Sequence, residues 1–114
     1  MLSHVFVMTV PEIGLCLDTA HALAAGEKPL EWIDRFRNRL YSLHVKDFIF
    51  DRSGKPEDVV VGEGNLPLTN LLQKLRDMNF DRPVILEYEG NPANPVPEIK
   101  KCLQELSGAL KNLT

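Results

Sequence analysis

The sequence predicts an α/β fold of parallel βα units, and three observations predict it. Short apolar runs alternate along the chain with segments whose apolar residues recur at helical spacing. Three of the runs end abruptly in chemically versatile side chains: Gly14-Leu15-Cys16-Leu17 in Asp18 and then His21, Leu40 to Leu43 in His44-Val45-Lys46-Asp47, and Pro83 to Leu86 in Glu87-Tyr88-Glu89. Strands joined through helical connections form right-handed βαβ crossovers, and a parallel sheet of this kind displays its chemistry at the C-terminal ends of its strands.

Taken in order, His4 to Val10 suits either a strand, by composition, or the trailing end of a helix whose beginning is absent. Residues 13–17 are expected to form a strand, a short apolar run entered through Pro11 and closed by a polar loop. Gly26 and Pro29 bracket a turn, and Pro29 suits the first turn of a helix. Leu30, Ile33 and Phe36 continue that helix for about two turns, to the cluster Arg37, Asn38 and Arg39. Residues 40–45 form the next expected strand. If Leu43 and Val45 face one side of it, Ser42 and His44 face the other, and His44 points into whatever the strands enclose.

Residues 48–57 read as a loop, with Asp51, Arg52, Ser53, Gly54, Lys55 and Pro56 in succession. Val59, Val60 and Val61 read as a very short strand stopped by Gly62-Glu63-Gly64. Pro67 opens a helix in which Leu68, Leu71, Leu72, Leu75 and Met78 make one apolar stripe. Val84 to Leu86 is a buried strand, Asn91 to Pro95 a rigid loop, and a last helix begins near Pro97 with Ile99, Cys102, Leu103, Leu106 and Leu110 on one face. Four such strands amount to half of an eight-stranded barrel.

The 114 residues suffice for one domain with a real core, spanning 1–114, and 44% hydrophobic with 25% charged residues is the composition of an ordinary globular protein. A net charge of −3, with 13 basic residues scattered along the chain, advertises no nucleic-acid surface. Cys16, in an apolar run, and Cys102, on a helix face, read as buried or half-buried free thiols of a reducing compartment. The apolar segment Val5 to Met8 is too short to span a bilayer and lacks the flanks of a signal peptide. A cytoplasmic protein without a membrane partner is the expectation.

Asp18, His44 and Glu87 each close a different strand, so a curled parallel sheet would gather them on one rim. Each has an ordinary explanation as well: Asp18 as the cap of the following turn, His44 as a satisfied core histidine, Glu87 with Glu89 as a solvated strand end. Three separate strand ends closing in ligand-type residues favour the shared site. Carboxylates gathered there repel one another unless a positive charge sits between them, and a divalent cation supplies it. One imidazole with carboxylate oxygens suits Mn, Mg, Co, Fe or Zn and leaves positions open for substrate oxygens. Lys46, Arg52 and Lys55, near the same rim, are candidate phosphate contacts.

In order and spacing, Leu17-Asp18-Thr19-Ala20-His21, His44-Val45-Lys46-Asp47, Val61-Gly62-Glu63-Gly64-Asn65-Leu66 and Ile85-Leu86-Glu87 resemble the C-terminal half of the xylose isomerase-like TIM barrels. That superfamily includes sugar phosphate isomerases and epimerases, hydroxypyruvate isomerases, inosose dehydratases and the endonuclease IV type of apurinic endonuclease. The resemblance implies that Asp18, His44 and Glu87 are metal ligands, that His21 contacts substrate near the metal, and that Glu87 doubles as an acid/base group. It also implies a further glutamate on a strand preceding Asp18. Glu12 lies just ahead of the expected first strand and does not match that position. The endonuclease branch carries an extra aspartate and histidine ahead of the Gly-Glu-Gly loop, where this chain has Pro56 and Asp58, which disfavours a multi-zinc phosphodiesterase.

The leading expectation is a divalent-metal-dependent isomerase or epimerase of a small sugar or hydroxy-ketone, phosphorylated or not, working by proton transfer through an enediolate. Without the second glutamate the chain by itself is expected to be nearly inert, since one general acid/base contributes about two to four orders of magnitude in rate. The alternatives are an endonuclease IV-like apurinic endonuclease, which would cleave abasic duplex DNA, and a non-catalytic or truncated half-barrel. The open sheet of the latter would demand a second copy, as a homo-oligomer, or a complementary half-barrel.

Overall fold

The computed structural model describes residues 2–113. Its centre is a three-stranded parallel sheet in the order β1, β2, β5, built from β1 (Leu15–Asp18), β2 (Leu40–Val45) and β5 (Val84–Leu86). The register pairs Leu17 with Leu43 and Asp18 with His44, then Leu43 with Val84 and His44 with Ile85. Leu17, Leu43 and Val45 are buried on the face covered by the helices. The other parity puts Cys16, Asp18, Ser42, His44 and Ile85 on the opposite face.

The apolar N-terminal stretch is helical, as α1 (Leu2–Met8), which settles the two alternatives in favour of the helix. Arg39 anchors it: the guanidinium donates to the carbonyls of Phe6 (2.9 Å) and Ile13 (2.7 Å) and lies over the Phe6 ring. The segment after Asp18, expected to be a polar loop, is instead α2 (Thr19–Ala24). Asp18 is its N-cap, and alanines at positions 20, 22 and 24 favour the helix it starts. Next come α3 (Pro29–Arg35), with Pro29 in its first turn, and a 3₁₀ turn at Arg37–Arg39.

Residues 48–57, expected to be a loop, form most of an antiparallel hairpin of β3 (Asp47–Phe50) and β4 (Pro56–Val59). Its turn formers do make the turn, since Asp51 Oδ1 accepts from the Ser53 and Lys55 amides. Phe48, Ile49 and Phe50 supply the strand the turn chemistry concealed. The expected strand at residues 59–61 is not a barrel strand. Val59 ends β4, while Val60 and Val61 are buried outside any sheet, and the Val61 amide points at Cys102 Sγ, 3.4 Å away. The parallel sheet therefore has three strands among the described residues, not four.

In α4 (Leu68–Asp77), Leu68, Leu71, Leu72 and Leu75 are buried as the stripe predicts. In α5 (Val96–Lys111), Cys102 is buried, but Leu103 and Leu110 remain exposed on the face expected to be covered. Cys16 is likewise exposed rather than buried, because its parity along β1 turns it away from the helices. No described helix is long and apolar enough to cross a membrane.

Asp47 fastens the loop after the hairpin. Fully buried, it accepts backbone hydrogen bonds from Gly62 (3.1 Å), Gly64 (2.9 Å) and Leu66 (2.9 Å). The backbone comes so close at Gly64 that a Cβ there would lie 2.5 Å from Asp47 Oδ1 and 2.7 Å from the Phe48 carbonyl. Asp47→Ala strands three amide donors and is expected to cost about 3 kcal/mol in urea unfolding; a loss below about 1 kcal/mol would contradict this account. The two thiols differ equally sharply. Burial raises the Cys102 pKa and shields the sulfur, so a disulfide reagent should titrate Cys16 at once and Cys102 only as the protein unfolds. Equal reaction rates at both sulfurs would show that the α5 face is open.

Candidate metal centre

Parallel register brings the three strand ends together. Asp18 closes β1 directly beside His44 of β2, and Glu87 follows β5, its amide donating to the Val45 carbonyl (3.0 Å) and so extending the ladder one residue further. One ligand atom from each of Asp18, His44 and Glu87 lies within 4.8 Å of the others, and all three residues are half-buried. A six-coordinate cation with bonds of about 2.1 Å needs ligand atoms roughly 3 to 4 Å apart. At up to 4.8 Å, this oxygen, nitrogen and oxygen set lies close to that range, and its donor types are those a divalent ion takes. The donors therefore fit a single divalent ion.

The ordinary explanation of Asp18 and the metal reading use different oxygens. Oδ1 accepts from the amides of Ala20 (3.0 Å) and His21 (2.9 Å) and caps α2, while Oδ2 makes no amide contact and lies 3.3 Å from His21 Nδ1. His44 Nδ1 is 3.1 Å from Glu87 Oε2. His21 stands one helical turn beyond Asp18 with its side chain 68% exposed, its ring edge-on to Phe48. It is thus beside the ligand group at the open rim.

Lys46 stands apart from its expected position. Two residues beyond His44 and on the same face, it is buried, and its ammonium lies 2.6 Å from Glu89 Oε2, 3.4 Å from Asp58 Oδ2 and 3.8 Å from Glu87 Oε1. Burial works against the charged ammonium, but the hydrogen bond to Glu89 and the charges of Asp58 and Glu87 outweigh it and raise the pKa above the ordinary lysine value. Glu89 is correspondingly lowered by its hydrogen bond to, and the charge of, Lys46. An ammonium so committed is not available to a phosphate. Arg52 and Lys55 remain exposed at the hairpin tip.

Two further residues complete the setting. The buried Thr19 hydroxyl donates to the Lys46 carbonyl (2.6 Å) and accepts from the Lys46 amide (2.9 Å), clasping the ends of β1 and β2 together. Asp58 Oδ2 accepts from the Glu89 amide (2.9 Å), tying the hairpin to the chain after β5. Sequence reasoning named Asp58 only as a mismatch to a zinc ligand and passed over Thr19. The available signal was Lys46 itself, a lysine at the parity of His44 amid strand-end acids, which requires carboxylates wherever it is buried.

Comparison with known proteins bears on the architecture. A family model described as xylose isomerase-like TIM barrel matches residues 4–106. An inosose dehydratase of Lacticaseibacillus casei is 23% identical over 111 residues, covering 84% of this chain and 37% of its own length. A crystal structure of a xylose isomerase domain protein from Planctomyces limnophilus superposes with a TM-score of 0.80 at 23% identity, covering 98% of this chain and 43% of that one. A sugar phosphate isomerase/epimerase from Parabacteroides distasonis superposes with a TM-score of 0.67 at 21% identity, over 90% of this chain and 33% of that one. This chain thus spans about two fifths or less of the length of each of these relatives, as a partial barrel of parallel strands and helices does. On the match over residues 4–106 and the shared fold, the chain belongs to the xylose isomerase-like TIM barrel family.

Proposed function

We propose that this chain is the metal-holding part of a divalent-cation-dependent isomerase or epimerase that moves a proton beside the carbonyl of a small sugar or hydroxy-ketone. The observation that carries the proposal is the convergence of Asp18, His44 and Glu87 from three strand ends. A cation bound there supplies Lewis-acid polarisation of the substrate carbonyl, which acidifies the neighbouring C–H bond. Glu87 is the acid/base group, its carboxylate held from one side by His44 and from the other by Lys46. His21, at the rim, is placed to hydrogen-bond a substrate hydroxyl. A second proton-transfer group on the opposite face of the substrate would come from a further strand. The dehydratase and the isomerase/epimerase among the relatives agree with a small-sugar substrate. The two free thiols suit a cytoplasmic setting, and the net charge of −3 argues against a nucleic-acid substrate.

Titration of the metal-free chain with MnCl2 in a calorimeter is expected to give one site, and His44→Ala should weaken it by at least about tenfold. Equal affinity and stoichiometry in the two proteins would overturn the metal assignment.

A second reading concerns assembly. The outer edge of β5 is unpaired among the described residues, so Val84 and Ile85, expected to lie in a buried strand, are instead exposed there. Beside it, Leu72, Leu75, Phe80, Val84, Leu106 and Leu110 line an apolar hollow of about 440 Å³ between α4, α5 and β5. Such an edge pairs with another strand or aggregates. We infer that a second copy, or a complementary half-barrel, covers it. For the chain alone, sedimentation should show self-association that rises with concentration and is reduced by Leu110→Glu. A monomer at every concentration in the micromolar range would contradict the self-pairing.

A further inference from the structure

We propose that Lys46 sets the cation preference of this centre, favouring small divalent ions such as Mn2+ over Ca2+ by leaving Glu87 only one oxygen to offer. The proposal rests on the metal reading above and adds a residue that is not itself a ligand. In each carboxylate of the group the two oxygens have different partners: an imidazole on one, and backbone amides or the Lys46 ammonium on the other. Asp18 Oδ1 is taken by two amide donors, at 3.0 and 2.9 Å, which leaves Oδ2, 3.3 Å from His21 Nδ1, as the oxygen a cation would draw on. Glu87 Oε1 is held by the charge of the Lys46 ammonium at 3.8 Å, beyond hydrogen-bond length, while Oε2 contacts His44 Nδ1 at 3.1 Å, a contact between two candidate ligands that a cation would replace.

Lys46 is held where it cannot easily yield that position. Its side chain is only 1% exposed, its ammonium is fixed by Glu89 at 2.6 Å and Asp58 at 3.4 Å, and it lies over the Phe48 ring at 5.7 Å. Thr19 clamps its backbone through both the amide and the carbonyl. The result is a rigid positive group behind one oxygen of a ligand carboxylate. Two one-oxygen carboxylates and an imidazole satisfy an ion with bonds near 2.1 Å and four to six ligands. Calcium takes six to eight oxygens at longer range and favours carboxylates that chelate with both atoms. Turning Glu87 to chelate would bring Oε1 away from the ammonium and leave that part of the buried charge uncompensated.

The ratio of two affinities isolates this effect. The charge of Lys46 repels any divalent ion at this site to a similar extent, so its removal shifts Mn2+ and Ca2+ affinities together. Freedom of Glu87 to chelate benefits calcium alone. If Lys46 merely neutralises Asp58 and Glu89, its loss lowers the melting temperature and leaves the ratio unchanged.

The test is calorimetric titration of the full 114-residue chain with MnCl2 and with CaCl2, for wild type, Lys46→Met and Lys46→Gln. Wild type is expected to favour Mn2+, and either substitution to narrow that preference by about tenfold or more, mainly through tighter Ca2+ binding. Infrared difference spectra of 13C-glutamate-labelled wild type with and without Mn2+ give a readout that needs no variant to fold. They should show the wide splitting of carboxylate stretches that marks binding through a single oxygen. An unchanged ratio in a folded variant, or a narrow chelate-type splitting in wild type, would overturn the role of Lys46 while leaving the metal site standing. Failure of wild type to bind either ion would overturn both.

Discussion

Because the face a side chain occupies follows from its parity along a strand, the parallel register of β1, β2 and β5 decides which residues can meet at all. Pairing Asp18 with His44 and His44 with Ile85 places their side chains on the face opposite the helices, with Glu87 one step beyond at the same parity as Ile85. A slip of one residue in either pair would send a ligand into the layer occupied by Leu17, Leu43 and Val45. The register is held at its upper end by the Thr19 hydroxyl, which joins the end of β1 to both backbone groups of Lys46. It is held on the other side by the Glu87 amide on the Val45 carbonyl.

The same interactions that hold the strand ends distribute charge among them. Five titratable residues from four segments, Asp18, Lys46, Asp58, Glu87 and Glu89, crowd a small volume, and one ammonium serves three of the carboxylates. Lys46 therefore stabilises the hairpin and the chain after β5 as well as facing Glu87. Structural and functional roles overlap here because a buried charge must be compensated by whatever elements lie nearest, and those elements carry the candidate ligands. Asp18 shows the same economy, one oxygen starting a helix and the other lying beside His21.

The exposed surfaces fit the chain's share of its relatives' length. Val84, Ile85, Leu103 and Leu110 are apolar and exposed, Val84 and Ile85 on the side of the sheet where the edge of β5 has no partner among the described residues. In a closed barrel that side is interior or lies against the next βα unit.

Local chemistry was enough to determine much of this protein from its sequence. The alternation of apolar runs and helical stripes specifies a parallel α/β fold, the leucine stripe of α4 specifies its buried face, and the strand-end positions of Asp18, His44 and Glu87 mark the candidate site. These features are legible because period and spacing are properties of neighbouring residues. Tertiary contacts decided the rest. Residues 59–61 look like a strand, yet Val61 turns its amide toward Cys102, forty-one positions away, and lies outside the sheet. Residues 48–57 look like a loop, yet Asp47 and Asn65 hold the hairpin against the following loop. Cys16 has the company of a core residue but the parity of an exposed one, and Lys46 has the composition of a surface residue but lies buried among three carboxylates. Propensity describes what a segment can do alone, whereas burial and pairing depend on partners brought together only by the fold.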